Sequence, residues 1–425
     1  MNPGDLLDLD ITDVAHGGVF IARHEGRVVF VSDAVPGERV RVRLTETAKS
    51  SFWRGAVVEV LDASPHRRSH VWAAADVQID PDRRPGGADF GHIALAYQRE
   101  LKLQVLRDAL ERFGGLELPS VAIRGARPLL SEQGEVVAAE SADATGWRTR
   151  VSLHVDGDGR VGPYAARSHR VIEVEELPLA TAEIQRAARA LSAPSGRVDL
   201  VQPADGRVRV LPRPDGTRDA APAEVVEERV GDRVFRVDAG GFWQVHRLAA
   251  AALTDAVTER VRASVGDLDP DATHLDLYGG VGLFAAALAD MGGVATRVIS
   301  VESDARATEH AGENLAEWVG ARAETARVDR YVGGLVADAS ERERERLSRG
   351  VVVLDPPRAG AGRDVVEGLA ALGPSAVVYV ACDPVALARD LAIFAEHGYR
   401  ADGGIRGLDL FPNSHHVEAV VALRR

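Results

Sequence analysis

The sequence predicts an α/β protein in three parts: a small N-terminal β-barrel, a mostly β middle segment, and a C-terminal doubly wound parallel sheet. Three patterns carry that expectation. From Asp8 to about Leu61, short alternating runs are cut by Gly, Pro and Asp turn signals. From about Trp147 to Val237, strand-like runs are separated by Asp-Gly pairs, and after His246 strands alternate with helices as far as Arg425. The corresponding boundaries are 1–62, 63–235 and 236–425.

In the first part the strand candidates are Gly18–Ala22, Arg27–Val31, Glu38–Leu44 and Gly55–Leu61. The period of two places Arg39, Arg41 and Arg43 on one face and Val40, Val42 and Leu44 on the other. That arginine face is either a solvated exterior or a nucleic-acid contact. Residues from about Ser64 to Gly87 are irregular and rich in Pro, Arg and Asp, and a helical apolar spacing follows from Ile93 to Phe113. The middle segment has turn pairs at Asp156-Gly157, Asp158-Gly159, Asp205-Gly206 and Asp215-Gly216, with one helix near Thr181 to Leu191. In the third part a helix from about Leu248 to Val265 leads to strands at His274–Tyr278, Arg297–Val301, Gly350–Leu354, Ala376–Ala381 and Ala419–Leu423. The run from Glu341 to Arg346 alternates sign and reads as a solvated helix face.

Composition narrows the function classes. With 425 residues, 45% hydrophobic and 27% charged, the chain can bury more than one core and is not disordered. Its single cysteine, Cys382, excludes an internal disulfide and a multi-cysteine zinc or iron-sulfur site. A net charge of −13 argues against a surface that coats polyanions throughout, leaving local basic patches as the means of binding nucleic acid. The first residues are acidic where a signal peptide needs a basic start, and no apolar run approaches the roughly 18 residues of a membrane span, so a soluble cytoplasmic protein is expected.

The chemistry is written at the ends of the C-terminal strands. Leu275-Asp-Leu-Tyr-Gly-Gly-Val-Gly-Leu-Phe runs from a buried strand through a glycine loop into a helix, and Glu302 ends the next strand, where a carboxylate can accept both ribose hydroxyls of an adenosine. NAD and S-adenosylmethionine share that architecture. Asp355-Pro356-Pro357-Arg358, a stiffened carboxylate loop at the same edge, favours methyl transfer to a planar nitrogenous substrate. Cys382-Asp383-Pro384 follows the next strand and puts the thiol beside Tyr278, Glu302 and Asp355. C5 of a uracil becomes nucleophilic only when a group adds to C6, and sulfur is the natural adding group. A base must then take the C5 proton, and Glu418, in Phe411-Pro-Asn-Ser-His-His-Val-Glu418, is the candidate; His415 and His416 have no metal-ligand spacing and read as supporting residues.

With Phe242-Trp-Gln-Val-His and Cys382-Asp-Pro-Val-Ala-Leu-Ala-Arg-Asp added in order, the whole chain resembles the bacterial uracil-C5 RNA methyltransferases that place 5-methyluridine in transfer and ribosomal RNA. The resemblance implies a Rossmann-like class I methyltransferase domain behind an N-terminal OB-like TRAM barrel that binds RNA. It also implies that Gln244, Tyr278, Glu302 and Asp355 contact S-adenosylmethionine, that Cys382 is the nucleophile, that Glu418 is the base, and that the partner is structured tRNA or rRNA. Many members of that family bind a four-iron cluster through a Cys-Gly-Gly-Cys stretch; here the match is Pro85-Gly-Gly-Ala88, and Leu177 stands at the further cysteine, so no iron-sulfur cluster is expected. Asp383 replaces the usual asparagine, Ala381 a serine and Gly279 a cysteine. Two other readings stand beside this one: a non-catalytic RNA-binding factor on the same scaffold, and an N-methyltransferase using the Asp355-Pro-Pro loop.

Overall fold

A computed structural model describes residues 1–115, 120–130, 133–216 and 224–425. Five strands, Leu6–Ala15, Val19–His24, Arg27–Ser32, Arg39–Glu46 and Phe52–Asp62, close into a barrel in the order first, second, third, fifth, fourth. The expected alternation becomes its wall. Val40, Val42 and Leu44 face inward at 1% exposure or less, against Phe20, Val29 and Val57. Leu6–Ala15, not among the four strands read from the sequence, pairs Asp8 with Arg41 and Asp10 with Arg39 across the ladder.

The outward arginines are therefore supplied with acids. Arg41 bonds Asp8 at 2.8 Å and Glu59 at 2.7 Å, and Arg43 bonds Asp80 at 2.9 Å and Asp82 at 3.2 Å. Arg39 is exposed and makes no ion pair among the described residues. The irregular segment after the barrel is pinned to it: Arg67 pairs with the buried Glu38, and the buried Arg84 donates to Asp33 at 2.7 Å and to the carbonyl of Val57 at 2.9 Å.

The middle segment holds a four-stranded antiparallel sheet in the order Val161–Gly162, Arg150–Val155, Gly196–Val201, Arg209–Pro214. Its helix, Ala182–Arg189, starts where Thr181 Oγ1 accepts from the Ile184 N–H. A separate hairpin, Val225–Val230 with Arg233–Asp238, precedes the helix Ala249–Val265.

The C-terminal sheet has eight strands, in the order Ala321–Thr325, Arg297–Glu302, Thr273–Leu277, Val351–Leu354, Ala376–Ala381, Glu418–Arg424, Arg400–Asp409, Val121–Gly125. The first five are parallel, and Glu418–Arg424 runs antiparallel to both neighbours. Successive residues serve two cores: Val351, Val353 and Val378 pack on one face, Val352, Leu354 and Tyr379 on the other. The eighth strand, Val121–Gly125, comes from within the 63–235 segment and lies parallel to Arg400–Asp409. The helix before it, Leu95–Ala109, is anchored by the buried Lys102, which pairs with the buried Asp409 and donates to the Phe411 carbonyl at 3.0 Å. Glu341–Ser348 is the solvated helix expected of the alternating charge run. Among the described residues no helix is long and apolar enough to cross a membrane.

Candidate active site

The strands Thr273–Leu277, Arg297–Glu302, Val351–Leu354 and Ala376–Ala381 are parallel neighbours, so the residues at their carboxyl ends gather on one rim. One cavity of about 1210 Å³ opens there and is lined by all six residues singled out from the sequence: Gln244, Tyr278, Glu302, Asp355, Cys382 and Glu418. Gln244 reaches it from the loop before Ala249–Val265, and Glu418 from the first position of the antiparallel strand.

The glycine loop is shaped by its backbone. Tyr278 holds φ +64° and Gly280 φ +53°, and a side chain at Gly280 would project into open space. The Gly280 N–H donates to Glu302 at 3.2 Å, and the other carboxylate oxygen accepts from the Asp304 N–H at 2.8 Å and the Ser303 hydroxyl at 3.0 Å. The Ser303 N–H donates to that oxygen as well, so Glu302 is fixed at the mouth of the loop with only Oε2 left to accept a further bond. Beneath it lies Asp276, which the sequence reading quoted but gave no role. Its Oδ2 accepts from the Ala285 N–H at 2.9 Å and from the Ser300 hydroxyl at 3.3 Å, its Oδ1 has no partner, and burial, helped by Glu302, pushes it up to about 7.

The opposite wall is a cluster of reluctant acids. Burial, then Glu418 and Asp355, push the Cys382 thiol up to about 12, with Arg358 pulling the other way. Burial and Asp355 push Glu418 up to about 8, and burial and Asp276 push Asp355 up to about 7. Burial is the chief reason each group resists ionising, and neighbouring carboxylates add to it. Arg358 is the cation among them, and it lies 3.4 Å from the Nε2 of His416, whose protonation burial drives down to about 3.

Neighbouring residues fix these groups in place. Asp390 Oδ2 accepts from the Tyr379 hydroxyl at 2.6 Å and from the Ala361 N–H at 2.7 Å, which holds the loop after Asp355-Pro-Pro-Arg; this role was not foreseen. Asp383 caps the helix Pro384–Glu396 through the N–H groups of Val385 and Ala386, and its other oxygen lies 3.0 Å from Nε2 of His16 in the barrel. The Asp383 bond raises His16 above the ordinary histidine range. His415, as expected, is a supporting residue: its Nδ1 bonds Asp89 at 2.7 Å. Asn413 joins the helix, the middle segment and the linker, exchanging bonds with Gln98, accepting from Arg68 at 2.6 Å and donating to the Ala144 carbonyl at 2.8 Å.

The stretch where cluster cysteines would sit does not fit an iron-sulfur group. Pro85 is buried, and Ala88 and Leu177 pack in an apolar cluster with Trp72, Leu153 and Leu179, leaving no thiolate donor.

Comparison with known proteins identifies the family. The TRAM domain family matches residues 2–58, and the tRNA (Uracil-5-)-methyltransferase family matches residues 207–425. Proteins described as uncharacterized RNA methyltransferases from Streptomyces avermitilis and Streptomyces coelicolor are each 37% identical, covering 99% of this chain and 98% and 93% of their own lengths. One from Bifidobacterium longum is 34% identical over 98% of this chain and 96% of its own. The crystal structure of Pyrococcus abyssi tRNA (uracil-54, C5)-methyltransferase in complex with S-adenosyl-L-homocysteine shares the fold, with a TM-score of 0.67 at 20% identity over 98% of this chain and 99% of that one. The chain belongs to the tRNA (Uracil-5-)-methyltransferase family, carries a TRAM barrel at its N-terminus, and is an RNA methyltransferase.

Proposed function

We propose that this cytoplasmic enzyme methylates C5 of a uridine in structured tRNA or rRNA, with S-adenosylmethionine as methyl donor, Cys382 as nucleophile and Glu418 as base. The observation that carries the reading is the single cavity lined by Gln244, Tyr278, Glu302, Asp355, Cys382 and Glu418. The cofactor fits the glycine side of it, where the bare Gly280 leaves open space and Glu302 Oε2, with only the Gly280 N–H on it, can accept from a ribose hydroxyl. Bound there, S-adenosylmethionine supplies the electrophilic methyl group that C5 takes up.

The chain's own residues do the rest. Cys382 Sγ gives its proton up to solvent and bonds to C6 as the thiolate, and the electrons of the C5–C6 double bond move onto C5 and O4. Once C5 bears both a methyl group and a hydrogen, the Glu418 carboxylate takes that hydrogen as a proton. The double bond then re-forms and Sγ leaves C6. A carboxylate raised to about 8 is a much stronger base than an ordinary glutamate and is matched to this work near neutral pH. The Asp390 and Asp383 bonds keep the two reacting loops in register.

The test is to treat unfractionated tRNA and rRNA with the protein and methyl-labelled S-adenosylmethionine, digest to nucleosides, and weigh the products. Label in 5-methyluridine is expected. Label in a nitrogen-methylated base would support the N-methyltransferase reading instead, and no label would leave a binding factor.

A further inference from the structure

A second cavity, of about 400 Å³, adjoins the first, and Arg148, Phe242 and Trp243 belong to the wall of both. Its floor is apolar, from Leu153, Leu177 and Leu179. One side is polar: Ser152 Oγ donates to Asp199 at 2.6 Å, and Arg197 donates to Asp199 at 2.7 Å and to Ser152 Oγ at 2.9 Å. Apolar faces with one hydrogen-bonding edge suit a planar heterocycle. At the shared lip, Phe242 is 75% exposed although it is large and apolar, as a stacking residue must be.

Arg148 distinguishes the shared wall. Its Nε donates to the Arg150 carbonyl at 3.0 Å, burial pushes its guanidinium below the usual range, and among the described residues no acid stands near it to oppose the shift. Arg150, two residues on, has Glu228 at 3.0 Å. A guanidinium withdrawn from water without a counter-ion is costly, and it becomes favourable when an anion arrives. In RNA that anion is the backbone phosphate, which lies between one base and the next.

We propose that Arg148 holds the phosphate joining the target uridine to its neighbour, and that the second cavity receives the neighbour's unstacked base. The enzyme then splays two consecutive nucleotides into two adjoining pockets. This rests on the reading of the larger cavity as the uridine site.

The experiment measures binding of a labelled oligouridylate across salt concentrations, and of S-adenosylhomocysteine, to the full chain and four variants. Arg148→Gln is expected to weaken oligonucleotide binding and lower its salt slope by about 0.7, the share of one single-strand phosphate contact. Its S-adenosylhomocysteine affinity should match wild type, and Arg148→Lys should restore the slope. Ser152→Trp, which fills the second cavity from its exposed side, should cost about tenfold in oligonucleotide affinity with the slope unchanged, while Ser152→Ala, which removes one polar group and fills nothing, should cost only about twofold. Loss of S-adenosylhomocysteine binding alone in Arg148→Gln would overturn the proposal, because the anion would then be the cofactor's carboxylate. Wild-type oligonucleotide binding by Ser152→Trp would overturn it too. Because binding is measured without turnover, a failure to find 5-methyluridine in the nucleoside assay would count separately, against the underlying reading.

Discussion

On the outer wall of the barrel, Arg41 and Arg43 meet four carboxylates between them. Along the cavity wall, Arg148 and Arg358 have no ion pair among the described residues, and burial, with neighbouring acids adding to it, holds the protons on Cys382, Asp355 and Glu418. The two regions use the same residue types to opposite ends. Exposed opposite charges paired across a ladder neutralise one another and leave little for a ligand. Charges held at a cavity without an opposite partner keep their field for whatever enters. A row of arginines on a strand therefore says which face is cationic in composition, and the facing strand decides whether that face is cationic in effect.

The largest expected effect lies on the cavity side. Cys382→Ala should lower methyl transfer by at least about 10⁴-fold, since the covalent route is gone, while S-adenosylhomocysteine binds within about twofold of wild type by titration calorimetry. Appreciable turnover would remove the thiol from the mechanism and weaken the contrast.

Next comes Glu418→Gln. Sγ should still add and the methyl still transfer, but elimination stalls, so turnover drops about 10²- to 10³-fold and a protein–RNA adduct collects as a slow band in a denaturing gel. The wild-type enzyme should lose activity below about pH 8, approaching tenfold per unit, as Glu418 becomes protonated. Stability should follow the same group. Its folded pKa of about 8 lies above the ordinary 4.5, so between those values the folded state holds the extra proton and raising the pH destabilises it. The melting temperature of Glu418→Gln should therefore gain on wild type as pH rises through that window and gain no more above it. A flat difference would mean that Glu418 is not held protonated by its surroundings.

A buried pair and an exposed pair should also separate cleanly. Lys102→Ala strips a cation from the buried Asp409, to which Arg99 still donates at 3.1 Å, and should cost about 3 kcal/mol in denaturant unfolding. Arg41→Ala should leave the denaturant midpoint close to that of wild type.

The smallest effect is expected at the barrel face. Neutralising Arg41 and Arg43 together to Gln should leave RNA affinity within about twofold of wild type, with Arg39→Gln the most felt of the three single changes, as read from salt-dependent binding. A loss of tenfold or more would show that RNA displaces the carboxylates and would erase the distinction between the two regions.

The rim was legible because its signals are local: glycines for a tight turn, prolines for a stiff loop, and one acid or thiol at the end of each apolar strand. What escaped depended on partners far along the chain. Val121–Gly125 is a strand only because Arg400–Asp409 lies beside it, and that strand loses its period of two at the irregularity between Asp402 and Ile405, where Gly403 and Gly404 take positive φ. Ala321–Thr325 is a short, half-exposed edge with no apolar run to announce it. Asp390 was visible as a motif letter, but its hold on Tyr379 and Ala361 is tertiary, and nothing in the order of residues shows that Arg148 lacks an acid. The substitution of Asp383 for asparagine was visible; its use became clear only with His16 in place.

The antiparallel strand Glu418–Arg424 slots between Ala376–Ala381 and Arg400–Asp409, both of which leave the ribosome before it. Until it arrives, each of those strands shows an open edge, and the segment after the barrel has neither His415 for Asp89 nor Asn413 for Gln98. Completion of this sheet must therefore wait for the stretch that carries Glu418, with nonlocal pairings that are slow to form and edges that invite misassociation meanwhile. A nascent chain halted before Phe411 should hold a formed barrel tethered to an open sheet, a natural client for chaperones and a species unable to touch RNA chemistry prematurely.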